Sequence, residues 1–161
     1  MARATEKADT GFEPRIVGFV CNWGAYSGLE MAGVNKIKYA PNVQLMKLMC
    51  LGRVHSGLVL KAFEFGADGV ILLGCPSGSC HYEFGVDRTK EMVAQTKEML
   101  NLLGIGAQRL LLVEVPLGDG SFLAKQINSF VKRVKKLGPS PIKYKAQPRQ
   151  IGAAQKVPSL L

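Results

Sequence analysis

The chain has 161 residues, a length that fits one domain of ordinary size. Hydrophobic residues make up 47 %, so a core can form without covalent staples, which weighs against the disulfide scaffolds of small secreted proteins. The formal net charge of +9 would suit nucleic acid, an anionic membrane surface or an acidic protein partner. Aromatic residues are only 7 %, and no nucleic-acid-binding signature is present. A basic solvated surface is therefore expected first and acidic partners second, with no nucleic acid.

The opening Met1-Ala2-Arg3-Ala4-Thr5-Glu6-Lys7 is polar and has no apolar h-region. No signal peptide is expected, and a cytoplasmic location follows, where thiols stay reduced unless ligated. No apolar run is long enough for a membrane span. Residues 1–14 read as a flexible arm ending at Pro14. Ile16 to Val20 is the first expected strand. Tyr26 to about Lys38 is a mixed segment of one or two helical turns, interrupted by Gly28 and Gly33. After the Pro41-Asn42 turn, Val43 to Met49 fits a strand or a helix on periodicity alone, and the bounding Pro41 and the Cys50-Leu51-Gly52 stop favour a strand.

His55 to Phe65 predicts a helix with Leu58, Val59, Ala62, Phe63 and Phe65 on its apolar face and a stop at Gly66. Val70 to Leu73 is short and wholly apolar, as a strand buried on both faces should be. Cys75-Pro76-Ser77-Gly78-Ser79-Cys80 is a loop rich in turn residues. A long helix is expected from about Asp87 to Leu103, with Met92, Val93, Thr96, Met99, Leu100 and Leu103 on one face. Leu110 to Val115 is the fourth strand. Ser121 to Leu137 is the last helix, with Phe122, Ile127, Phe130, Val131 and Val134 facing inward. Its Lys132, Arg133, Lys135 and Lys136 suit the helix dipole without any ligand.

Strand–helix alternation predicts an α/β fold with right-handed crossovers, a flavodoxin-like parallel sheet of four to five strands with helices on both faces. The domain is expected over 15–137. Residues 138–161 carry Lys143, Lys145, Arg149 and Lys156, no acid, and too little apolar content for a core, so they read as an extended, basic, partner-docking tail.

The four cysteines carry the functional signal. Cys21, Cys50 and Cys75 each close an apolar strand, and Cys80 lies in the loop after Cys75. In an open parallel sheet, ligands bind beyond the carboxyl ends of the strands. Free cysteine is among the most buried residue types, so any one of the four alone would be core. Three at strand ends, with a fourth in a Gly/Ser/Pro loop, point to a shared site.

The spacing Cys75-x4-Cys80 matches the first step of the plant-type ferredoxin pattern, and four thiolates satisfy a 2Fe–2S cluster. Gly24, Gly52, Gly74 and Gly78 would let backbone amides approach it. Zinc accepts the same donors but favours C-x2-C knuckles, which are absent; a zinc-stabilised binding module is the weaker option. His81 as a base for a nucleophilic Cys80 is weak, since adjacent side chains seldom face each other. Trp23 and Tyr26 either shield the site or pack in the core. Gly118-Asp119-Gly120 is too short for a dinucleotide fingerprint, so no nucleotide or flavin is expected in this chain.

Several segments resemble the delta subunit family of methyl-viologen-reducing hydrogenase, iron–sulfur proteins associated with heterodisulfide reductase. They are Ile16-Val17-Gly18-Phe19-Val20-Cys21-Asn22-Trp23, Tyr39-Ala40-Pro41-Asn42-Val43, Met49-Cys50-Leu51-Gly52-Arg53-Val54 and Lys61-Ala62-Phe63 through Gly66-Ala67-Asp68-Gly69-Val70. The set closes with Gly74-Cys75-Pro76-Ser77-Gly78-Ser79-Cys80-His81-Tyr82. The resemblance runs from about Arg15 to Pro141. It implies a 2Fe–2S cluster and electron relay in a hetero-oligomer, without substrate chemistry. The implied partners are a heterodisulfide-reductase-like flavin subunit plus a second redox subunit, hydrogenase-like or other. Where the family's first strand usually ends Cys-Cys-Asn-Trp-Cys, this chain has Val20 and Gly24 at the flanking positions. Cys21, Cys50, Cys75 and Cys80 are then the expected ligands, and the alternative is a cofactor-free structural adaptor of the same kind of complex.

Overall fold

In the computed structural model, which describes residues 11–142, four strands and four helices alternate. They are β1 (Ile16–Cys21), α1 (Ala25–Val34), β2 (Val43–Leu48), α2 (Ser56–Glu64), β3 (Gly69–Gly74), α3 (Gly85–Leu102), β4 (Leu110–Glu114) and α4 (Gly120–Leu137). All pairings are parallel, in the order β2-β1-β3-β4. The sheet is the expected one, with four strands. Residues 1–10 and 143–161, which hold most of the arm and of the tail, lie outside the described residues.

The two faces are set by strand alternation. A Cβ on Gly69 would meet Phe130 and Val134 of α4, whereas one on Gly74 would meet Val86 of α3. Ile16 pairs with Gly69 and Val20 with Leu73, so Ile16, Gly18 and Val20 face α4, and Val17, Phe19 and Cys21 face α3. Helix α1 packs with α4 and α2 with α3; α1 on one face with α2 and α3 on the other is what right-handed crossovers in this strand order require. β3 is buried along its whole length, which explains its unbroken apolar sequence.

Three expectations need correction. The segment after β1 is one continuous helix, Ala25–Val34, and neither Gly28 nor Gly33 interrupts it. Gly28 is buried against Leu123 and Val115, and Gly120 at the start of α4 sits against the α1 backbone, where a Cβ would stand 2.5 Å from the Ala32 nitrogen. These glycines bring two helices together, and that packing outweighs their poor helix propensity. Second, Phe65 is exposed, and Met99 and Leu103 also face outward; the inward residues of α3 are Val86, Thr89, Val93, Thr96 and Leu100. Third, β2 stops at Leu48. Its mixed burial reflects an edge strand with one covered face, which is why its sequence imitates a helix.

The amino edge of the sheet is tied by a charged knot. Arg109, 5 % exposed, donates to the carbonyls of Ile105, Asp68, Gly138 and Pro139 at 2.9–3.1 Å. Asp68 accepts from the Arg15 and Ser140 amides at 2.9 and 2.8 Å. Residues just before β1, β3 and β4 are thus joined to the chain leaving α4. Burial lowers the Arg109 pKa, while Asp68 and the carbonyls favour its charged form.

Gly120→Ala should lower unfolding stability by about 1–3 kcal/mol through overpacking against α1. Gly33→Ala, at an exposed helical position with open space, should raise it by up to about 1 kcal/mol. Urea unfolding of the two variants checks both signs.

Candidate functional site

β1 sends its crossover to β2 on one side, and the chain returns through α2 to β3 on the other. The carboxyl ends of β1 and β3 therefore flank the switch point, where this class of sheet opens a crevice. Cys21 is the last residue of β1, and Cys75 follows β3 directly. Their sulfurs lie 3.3 Å apart, and both residues are buried. Cys50 precedes a short 3-10 turn, Leu51–Arg53, just past β2, and Cys80 ends the loop before α3. The sulfurs of Cys50 and Cys80 flank one point: a Cβ on Gly85 would stand 2.5 Å from the first and 3.1 Å from the second.

The four sequence-predicted thiols are thus brought to one edge, as two pairs. The pairs also sense each other. Burial, then the Cys21 thiol, pushes Cys75 up from 9.0 to about 12, with Cys80 contributing. Burial raises Cys50 as well, with smaller contributions from Cys80 and Cys21. Among the described residues no three or more His, Cys, Asp or Glu side chains lie close enough to hold a single metal ion.

Backbone at the site is kept bare. The Gly52 amide donates to Cys50 Sγ at 3.3 Å, and the Gly24 amide favours the charged form of Cys75. A Cβ on Gly24 would lie 2.9 Å from Cys75 Sγ, so position 24 belongs to the site. Val20 faces α4, away from Cys21, and is buried in the core. Gly74 lies against Leu51 rather than against a sulfur, and Gly78 serves a turn at φ 79°. Sequence reasoning misses Gly85; only its place at a helix start beside a cysteine loop distinguishes it.

Trp23 stacks on His81 with ring centroids 3.8 Å apart, and His81 meets Tyr82 edge-on at 4.9 Å. Trp23 thereby links the end of β1 to the Cys80 loop. Tyr26 lies under Lys47 instead, with the ammonium 4.2 Å from its ring centroid. His55 is exposed at the start of α2.

A polar clamp holds the Cys75–Cys80 loop. The Ser77 amide donates to Glu114 at 2.6 Å, and its hydroxyl to Asp87 at 3.0 Å. Lys90 pairs with Glu114 at 2.7 Å and with Asp87 at 3.7 Å, and it also donates to the Ser77 hydroxyl. The Lys90 hydrogen bond, then the Ser77 amide, holds Glu114 below its ordinary 4.5, and Glu114 in turn raises Lys90. No sequence pattern marks these four residues as a group.

Two outcomes follow from the site's electrostatics. The folded, metal-free protein holds the Cys75 proton longer than the unfolded chain does. Its stability should therefore fall as pH rises from 9.0 towards about 12. Cys75→Ala should flatten that fall by on the order of 1 kcal/mol per pH unit, read from urea unfolding of both proteins. Glu114's depressed pKa means that its contribution to the clamp is present above 4.5 and lost on acidification. Glu114→Gln at pH 7 should speed proteolytic nicking of the Cys75–Cys80 loop by up to about fivefold, as the loss of an exposed ion pair allows.

The sequence profile of the family described as "Methyl-viologen-reducing hydrogenase, delta subunit" matches residues 16–138. The iron–sulfur subunit of the F420-non-reducing hydrogenase vhc of Methanococcus voltae is 37 % identical over 132 residues, covering 82 % of this chain and 92 % of that protein. The iron–sulfur subunit of the F420-non-reducing hydrogenase of Archaeoglobus profundus is 35 % identical over 128 residues, covering 80 % and 93 %. One subunit of the ferredoxin/F420H2-dependent CoB-CoM heterodisulfide reductase of Methanosarcina acetivorans is 34 % identical over 134 residues; the match covers 83 % of this chain but 17 % of that much longer protein. With the profile spanning the whole α/β domain, the chain belongs to the family of the delta subunit of methyl-viologen-reducing hydrogenase.

Proposed function

We propose that the chain is an electron-transfer subunit of a redox complex and carries one 2Fe–2S cluster on Cys21, Cys50, Cys75 and Cys80. The observation that supports this most is the arrangement of the thiols as two pairs at one crevice. A mononuclear zinc site gathers three or four donors on one ion, whereas a 2Fe–2S cluster takes four thiolates over two irons. The donor set therefore fits the cluster better than zinc. Burial holds the protons of Cys50 and Cys75, and loading should release them.

When bound, the cluster would supply one-electron redox chemistry. The chain's own residues hold it and tune it. The Gly52 amide donates to Cys50 Sγ, and the Gly24 amide favours the charged form of Cys75; such amides beside cluster sulfurs would raise the reduction potential. The bare positions 24 and 85 leave room beside the sulfurs, and the Lys90–Glu114 clamp fixes the loop that carries two of the four. Cys50 and Cys75, whose protons burial retains, are poorly suited to act as a nucleophile or general base.

The relatives support the setting. Proteins of similar length are named as hydrogenase iron–sulfur subunits, and a homologous stretch is built into a larger heterodisulfide reductase subunit. We infer that this chain works beside a heterodisulfide-reductase-type subunit with a flavin, and takes electrons from or gives them to another redox subunit. Among the described residues no helix is long and apolar enough to cross a membrane.

Anaerobic purification should yield a coloured protein with iron and sulfide in equal amounts and an EPR signal on reduction. Cys75→Ser should abolish all three. Gly85→Ala should lower cluster occupancy several-fold, because its methyl group enters the space between Cys50 and Cys80. A colourless, iron-free wild type leaves the structural adaptor as the function.

A further inference from the structure

The thiol site is closed on one side and open on the other. Cys21 and Cys75 are 3 % and 2 % exposed, whereas Cys80 is partly open and Cys50 lines a surface hollow of about 410 Å³. The walls of that hollow include Met49, Tyr82 and Phe84, which are 57 %, 47 % and 63 % exposed. Trp23, at 41 %, continues the apolar surface through its stack on His81. Large side chains left open beside a binding site mark an interaction surface.

Charge narrows the occupant. Arg53 and Arg88 line the same hollow, no acidic residue does, and neither arginine forms an ion pair among the described residues. Nearby Lys90, by contrast, is engaged by Glu114 and Asp87. Guanidinium groups at the edge of an apolar patch are the preferred anchors for carboxylates across an interface.

We propose that this face is the electron port, and that it docks a redox protein presenting carboxylates around an apolar projection. The inference rests on the proposed electron-transfer function and adds the route and the partner's chemistry. Phe84 and Met49 fill the partner's apolar surface, Arg53 and Arg88 meet its carboxylates, and one electron passes between the partner's redox group and the Cys50–Cys80 side. No bond forms or breaks, and no proton has to move. The partner gains or loses the electron that this chain loses or gains.

Two readouts test it on the full-length chain. In the first, anaerobically reduced protein is reoxidised by ferricyanide, an anion, or by hexaammineruthenium(III), a cation, in stopped flow. Each reagent takes one electron. R53E/R88E should lower the ratio of the anion's rate to the cation's by about tenfold or more at low ionic strength. The difference should shrink in salt, which screens exposed charge. Absorption of the loaded protein should match wild type. In the second, the complex isolated from cells making R53E/R88E or Phe84→Asp should lose most of its heterodisulfide-reductase-type redox partner. Phe84 is exposed, so that variant keeps the fold.

An unchanged rate ratio in a loaded, normally absorbing variant overturns the port and leaves the proposed function standing. Full retention of the partner by both variants overturns the docking assignment in the same way. A wild type without a cluster overturns the proposed function, and this inference with it.

Discussion

Four thiols held close together in an apolar crevice are the constraint on which the carboxyl edge depends. As neutral groups they are small hydrophobes that the core accepts, whereas burial and the neighbouring sulfurs oppose ionisation of Cys50 and Cys75. The rise of Cys75 to about 12 expresses that conflict. Cys50 is pushed the same way, again chiefly by burial. The surroundings follow from the same need for space. Gly24 and Gly85 are sites where a methyl group would press on a sulfur, and the Gly52 amide donates to the Cys50 sulfur.

The opposite edge of the sheet is built on the reverse logic. There Arg109 is buried, but its guanidinium finds carbonyls on the segments before β3 and β4 and after α4, and Asp68 finds two amides. The charged groups are satisfied within the fold, so nothing further is needed to complete them. Strands run from this finished edge to the thiol edge, and their stiffness fixes where the first three cysteines stand. Cys80 has no strand of its own, and the Ser77–Glu114–Lys90 clamp and the Trp23–His81 stack hold its loop instead.

Much of the fold is legible because burial writes itself into local pattern. β3 is buried on both faces and reads as an unbroken apolar run; α4 is strongly two-sided and reads as a helix with basic residues at its end. β2 is ambiguous because an edge strand exposes Gln44, Met46 and Lys47, which disturbs the alternation. α1 reads as broken because Gly28 looks like an interruption, whereas its lack of a side chain is what lets α4 approach. Periodicity turns Phe65, Met99 and Leu103 inward, but Phe65 and Leu103 lie just past their helix ends, and Met99 sits at the flank of the face whose centre is the fully buried Leu100.

The order of strands and helices, the inward faces of most of them, and the placing of cysteines where strands end can all be read from the sequence. Those properties depend on neighbours a few residues apart. That Cys21 pairs with Cys75 while Cys50 pairs with Cys80 around Gly85, and that Arg53 and Arg88 share one hollow with Phe84, comes from the folded arrangement. Those relations are set by the strand order β2-β1-β3-β4 and by which crossover lies on which face. Strand order is a choice among packings of similar local pattern, and the energy that selects it comes from contacts between residues far apart in the chain.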